Sequence, residues 1–179
     1  MNNSINEVIL EKPRFYKIIP LKEFRKTEGV SFDILPMDQI PEISGVDRVL
    51  HKYNAVSPGS IEGVERPWYM HPHQSDYLMV LSGVRYVDVY HPDYKKIESF
   101  TVTANSVEQD GKLVYEGPVM LIWPNGVFHR IRSGEDGSAS INLAVRSEGF
   151  DIKTNFNIYD LNPDTGEYKL LREGYLDQK

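Results

Sequence analysis

From residue 68 onward the chain is a succession of short strand-like runs, recurring about every ten residues with turn residues between them. No other feature constrains the fold as strongly. The runs are 67–73, 77–81, 84–90, 96–102, 112–115, 119–123, 128–131 and 140–145. Gly, Pro, Asn and Asp cluster between them, at 82–83, 91–93, 110–111, 116–118, 124–126 and 134–137. These residues favour turns because each either tolerates positive φ, fixes φ, or bonds its own backbone. No segment keeps a helical period across three turns, so the rhythm predicts an all-β sandwich or barrel. Before it, 15–19 reads as a strand ended by Pro20, 37–40 as one helical turn between Pro36 and Pro41, and 46–53 as a further strand. After it, strands are expected at 154–160 and 168–172 around the turn 162–166. The expected organisation is one domain, with a barrel core at about 46–149, an N-terminal arm over 1–45 and a C-terminal extension over 150–179.

Composition narrows the partners. A chain of 179 residues with 40% apolar side chains can bury a core without staples. A formal charge of -6 lacks the basic footprint of a nucleic-acid binder. The apolar runs 77–81 and 119–123 are too short to span a bilayer, and the first residues lack the pattern of a secretory signal, so a cytoplasmic location is expected. With no cysteine, any metal must be held by His, Asp, Glu or water. No Gly-rich dinucleotide fingerprint is present.

The chemistry concentrates in two stretches. In Trp68-Tyr69-Met70-His71-Pro72-His73-Gln74-Ser75-Asp76-Tyr77, strand alternation would point His71 and His73 the same way, about 7 Å apart. A two-residue turn at Gln74-Ser75 would set Asp76 opposite His73 on that face, whereas a longer loop would bring Tyr77 inward instead. The second stretch, 117–129, is an apolar strand, a Pro-Asn-Gly turn and then His129. Three imidazoles and a carboxylate would suit Fe, Mn, Ni or Zn. His51 and His91 read as structural or merely exposed, and Asp76 as either a site group or a turn cap. Tyr69 and Tyr77 read as either barrel packing or catalysis, and Arg85 as either an exposed strand residue or a partner for an anion.

These two stretches resemble the paired motifs of the cupin superfamily. His71, His73, Asp76 and Gly83 follow the order of the first motif, and Gly117, Pro124, Gly126 and His129 that of the second. The acid arrives two residues early and is Asp where Glu is usual, and Ser133 stands where the family often has Asn. The resemblance implies a double-stranded β-helix, the jelly-roll barrel, with His71, His73, Asp76 and His129 as ligands of one divalent metal. Within the superfamily, the sequence from His71 to Tyr90 looks most like the RmlC-like nucleotide-sugar epimerase and isomerase branch. That branch implies a homodimer and metal-free chemistry, with His71 as base and Tyr77 or Tyr69 as acid. Three functions follow as expectations: a sugar or sugar-nucleotide isomerase or epimerase, a divalent-metal cupin enzyme such as an oxygenase, and a non-catalytic module for a small ligand.

Overall fold

The computed structural model describes residues 7–179. In chain order the strands are β1 Leu10–Lys12, β2 Tyr16–Pro20, β3 Lys22–Thr27, β4 Val30–Ile34, β5 Gly45–His51, β6 Val56–Ser57, β7 Trp68–Met70 and β8 Gln74–His91. They continue as β9 Lys96–Val102, β10 Ser106–Gln109, β11 Lys112–Glu116, β12 Val119–Trp123, β13 Phe128–Arg146, β14 Ile158–Leu161 and β15 Tyr168–Arg172. One short helix, α1 Ile152–Asn155, precedes β14. All strands but β3 and β4 join one antiparallel sheet, ordered β1-β2-β12-β8-β13-β7-β14-β15 along its main path.

The architecture follows from the pair β8 and β13. Asp76 lies opposite Ala144, and His129 opposite Val89, so thirteen residues of ribbon separate them. Straight, that ribbon would be about 40 Å long. Yet the side chains of Asp76 and His129 approach to 3.8 Å, so the ribbon is folded back on itself. The bend sits where the register shifts between Ser133 and Ser138. Gly83 and Gly137 meet there at positive φ, and a Cβ on Gly83 would lie 2.1 Å from the Gly137 carbonyl. Only glycine permits that approach. Residues 82–83 and 134–137, expected as turns, are therefore bends inside two continuous strands.

Both terminal segments pair into the sheet. The N-terminal stretch is part of the barrel, because β2 pairs with β12. Its Phe15 and Ile18 enter the main core with Val87, Phe100 and Leu121, while Ile19 enters a second core with Met120 and Leu143. Burying each such isoleucine is worth about 1.5–3 kcal/mol. The C-terminal extension likewise docks, β14 pairing with β7. The short turn at Met37–Gln39 forms as expected, but the β3–β4 ribbon, β10 and α1 went unread in the sequence. Among the described residues no helix is long and apolar enough to cross a membrane.

Candidate active site

The folded ribbon encloses a cavity of about 190 Å³. Its wall inverts the usual amphipathic rule. On β13, Ser138, Ser140 and Asn142 face inward while Ile141 and Leu143 pack into the second core. On β5, Asp47, Val49 and His51 line the cavity while Val46 and Leu50 are exposed. On β8, Gln74, Asp76 and Leu78 alternate into the buried interior, and Asp76 lies opposite both Trp123 and Ala144.

Two segments clasp to complete it. Tyr69 is on β7 and His71 just past its end, their rings 6.5 Å apart, and Tyr69 is the register partner of His129. Gly126 donates its N–H to the His71 carbonyl at 2.8 Å, and Asn125 Nδ2 donates to the Pro72 carbonyl at 3.1 Å. The Pro124-Asn125-Gly126 turn thus fastens the His71 segment beside the strand that carries His129.

His71, Asp76 and His129 are all buried, and one nitrogen or oxygen from each lies within 4.8 Å of the others. Asp76 Oδ1 accepts from Gln74 Nε2 at 2.8 Å and Asn142 Nδ2 at 3.0 Å. Its Oδ2 faces His71 Nε2 at 3.1 Å and His129 Nε2 at 3.8 Å. His71 Nδ1 meets the backbone carbonyl of Asn155, and His129 Nδ1 that of Val127 at 3.3 Å.

These partners set the protons. Both nitrogens of His71 face acceptors, a state only the imidazolium satisfies. Burial opposes that charge, but Asp76 outweighs it, and the pKa of His71 is raised. His129 has one acceptor, on Nδ1, so Nε2 keeps its lone pair. Burial first, and then the neighbouring His71 charge, push its pKa down to about 3. Asp76, though burial opposes its charge, is held well below the usual carboxylate range by His71 and His129.

The other sequence candidates fall in different places. His73 lies outside the cluster. Residues 71–73 are not in a strand, alternation lapses there, and the His73 ring packs against Gly149. Gln74 takes the inward position instead. Neither of the two alternatives, a two-residue turn at Gln74-Ser75 or a longer loop, describes the connection, because β7 pairs with β13 and β14 rather than β8. Tyr77 points to the opposite face of β8 from Asp76, into the core with Ile19 and Met120. Tyr69 lines the cavity, its ring 5.9 Å from His129. Trp123 is a cavity wall, and Phe128 packs in an outer core with Trp68 and Tyr90. His91 lies elsewhere and accepts the Asp93 backbone N–H at 3.1 Å.

The site residues that went unread include Gln74, Asn142, Asn155 and Phe156, whose ring abuts His71 at 5.0 Å. The polar alternation Ser138-Ser140-Asn142 in a strand with an apolar opposite face was the available signal for Asn142. Nothing local marks Asn155, which acts through its backbone.

The cluster also fits a metal. Its donor set is two imidazoles and a carboxylate, and each histidine is oriented by a backbone carbonyl on its other nitrogen, the usual outer support of metal-binding histidines. The set has three protein donors, one fewer than the sequence implied.

No family model matches the chain, and no curated protein matches it in sequence. Solved structures do match its fold. A 4-keto-6-deoxy sugar epimerase from Streptomyces spheroides superposes with a TM-score of 0.59 at 12% identity, over 84% of this chain and 72% of that one. A sugar 3,4-ketoisomerase from Thermoanaerobacterium thermosaccharolyticum, solved with TDP, gives 0.53 at 15% identity, over 76% and 82%. A dTDP-4-dehydrorhamnose 3,5-epimerase from Elizabethkingia anophelis gives 0.56 at 10% identity, over 80% and 75%. The chain therefore shares the jelly-roll fold of these sugar epimerases and ketoisomerases.

Proposed function

We propose that the protein is a sugar isomerase or epimerase, moving a proton at a carbon beside a carbonyl, with His129 as base and His71 as acid. One observation carries this: two histidines share one carboxylate oxygen, yet their hydrogen-bond partners give them opposite proton contents. Such a split pair is what acid–base chemistry on one substrate requires. His129 Nε2 takes the proton from carbon while the His71 imidazolium gives its proton to the carbonyl oxygen, forming an enediol. Carbon then takes a proton, from His129 at the neighbouring carbon or from Tyr69 on the other face, while an enediol hydroxyl gives its proton back to His71 as the carbonyl reforms. The base therefore moves from His71, expected from the resemblance, to His129. Tyr69 is the neutral donor across the cavity, its phenol pKa raised by burial. The cavity suits one sugar ring, since a cavity of about 150 Å³ elsewhere admits one benzene. The keto-sugar enzymes that share the fold support the substrate class.

The test is solvent exchange. The protein is incubated in D2O with aldoses, ketoses and TDP-4-keto-6-deoxyglucose, and carbon-bound deuterium is followed by NMR. Exchange is expected with at least one sugar, falling by about 10²–10⁴-fold in His129→Asn with binding retained. Binding without exchange across the panel would instead make the chain a ligand-binding module.

A second reading rests on the converging donors. His71, Asp76 and His129 would hold one divalent ion, Fe, Mn, Ni or Zn. Such an ion, when bound, would polarise the substrate carbonyl as a Lewis acid. Metal analysis of purified protein distinguishes the readings: stoichiometric metal, lost together with exchange on chelation and restored by one ion, selects the second.

A further inference from the structure

We propose that the inner end of the cavity is an anion subsite built on Arg85, and that the ligand is a sugar carrying a carboxylate or a phosphate. That the ligand is a sugar rests on the proposed function; the anion subsite does not.

Arg85 is only 1% exposed and lines the same cavity as His71, Asp76 and His129. It stands at the bend of the β8–β13 ribbon, two residues beyond Gly83 and opposite Ser133. Its Nε donates to Ser138 Oγ at 3.1 Å and its Nη2 to the Val49 carbonyl at 3.1 Å. Both acceptors are neutral, and among the described residues no carboxylate pairs with this guanidinium. Arg130, by contrast, has Asp88 at 2.9 Å. An arginine kept from water without an anion is expensive, and a planar guanidinium is matched by a carboxylate or a phosphate.

The cavity is polarised along its length. Asp47 lies opposite Asn142 at one end, and Arg85 is held by Ser138, the partner of His51, at the other. Between the ends lie polar atoms with no protein partner: His51 Nδ1, Ser140 Oγ and Asn142 Oδ1. The β13 row Ser138-Ser140-Asn142 runs from the residue that holds Arg85 to the residue that holds Asp76. Four residues of strand span about 13 Å, and a contact of about 3 Å at each end leaves roughly 7 Å for the ligand. A sugar acid or sugar phosphate of about six carbons has that reach, its carbonyl end at the histidines and its anion at Arg85. A 6-deoxy sugar would set a methyl group against the charge instead.

Equilibrium binding tests this without reference to turnover. Full-length protein is titrated with D-glucuronate, D-glucuronamide, D-glucose 6-phosphate and D-glucose. At least one anion is expected to bind about tenfold or more tightly than its uncharged counterpart, and Arg85→Met to abolish the difference while neutral sugars bind as before. Arg85→Met removes the buried charge and keeps an apolar stem, so it is the variant chosen to fold. On wild-type protein alone, each anionic sugar is compared with its uncharged counterpart, glucuronate with glucuronamide and glucose 6-phosphate with glucose. Preference for glucuronate assigns a carboxylate subsite, and preference for the phosphate alone a phosphate subsite. Equal affinity for charged and uncharged partners, no binding of either anion, or a preference that survives Arg85→Met overturns the proposal. Anion preference without deuterium exchange would sink the isomerase reading and leave the subsite standing. Exchange on neutral sugars without anion preference would do the reverse.

Discussion

Asp76 and Glu98 are buried equally, each 3% exposed, and the fold treats them differently. Glu98 accepts from Lys12 at 3.0 Å, Lys96 at 3.2 Å and Gln109 Nε2 at 2.7 Å. Its cations are permanent, and their side chains reach the surface, so its charge is settled once and for good. Asp76 is matched by imidazoles, which can exist with or without the second proton, and its free oxygen faces both of them beside a cavity. Burial alone therefore does not mark a functional carboxylate. The mark is a partner that can give up its proton, next to space for a ligand.

The strongest way to break this contrast is to neutralise each acid in turn. Asp76→Asn removes the charge that keeps His71 protonated, and deuterium exchange should fall by about 10²–10⁴-fold. Glu98→Gln should leave exchange within about twofold, since the two sites share no partner. Its cost should appear in urea denaturation as about 2 kcal/mol, because two ammonium groups lose a buried anion while remaining partly solvated. A Glu98→Gln protein that folds normally but loses exchange would refute the distinction.

The two regions also separate by pH. The folded pKa of His129 is about 3 and that of His51 about 4, against about 6.5 unfolded. Between those values the unfolded chain binds more protons, so stability is full above pH 6.5 and is lost as pH falls, by up to about 1.4 kcal/mol per pH unit for each whole proton. His71, raised by Asp76, has the opposite sign: its contribution is present below its unfolded pKa and lost as pH rises through the folded one. Glu98, lowered in the folded state, adds a loss that begins only near the ordinary carboxylate range. Denaturation midpoints from pH 7 to 4 should therefore fall in wild type. His51→Asn should flatten that slope, and Glu98→Gln should alter only its acid end.

The residues most readable from sequence were those whose role depends on chain-local geometry. The Pro124-Asn125-Gly126 turn and the apolar strand before it located His129, and the turn residues announced an all-β chain. Continuity was less legible. Gly83 and Gly137 look like turn residues because they take positive φ, but here that φ lets two long strands bend together. Alternation failed at His73 because it holds only inside a strand, and the chain leaves β7 at Met70. The β3–β4 ribbon was missed because its Phe24 and Phe32 are exposed and no buried face gave it a pattern. Asn155 could not have been found, since a backbone carbonyl has no signature in the side-chain code. Arg85 was visible, but whether it faced solvent or the cavity depended on which way the strand emerged from a bend.

The last and finest test compares two tyrosines. Tyr77 lies one position beyond Asp76, so the pleat sends it to the other face of β8, and burial alone raises its pKa. Its hydroxyl has no part in the cavity. Tyr69, across the sheet from His129, lines the cavity. Tyr69→Phe should slow exchange by about tenfold through loss of one neutral donor to the reacting oxygen, with little change in folding. Tyr77→Phe should leave exchange within about twofold and stability nearly unchanged, since it removes a hydroxyl that burial opposes. If Tyr77→Phe were the slow variant, the ribbon would have to be registered one residue differently, and every inward residue from Gln74 to Leu78 would exchange faces with its neighbour. A two-variant rate comparison therefore checks the register on which the whole site depends.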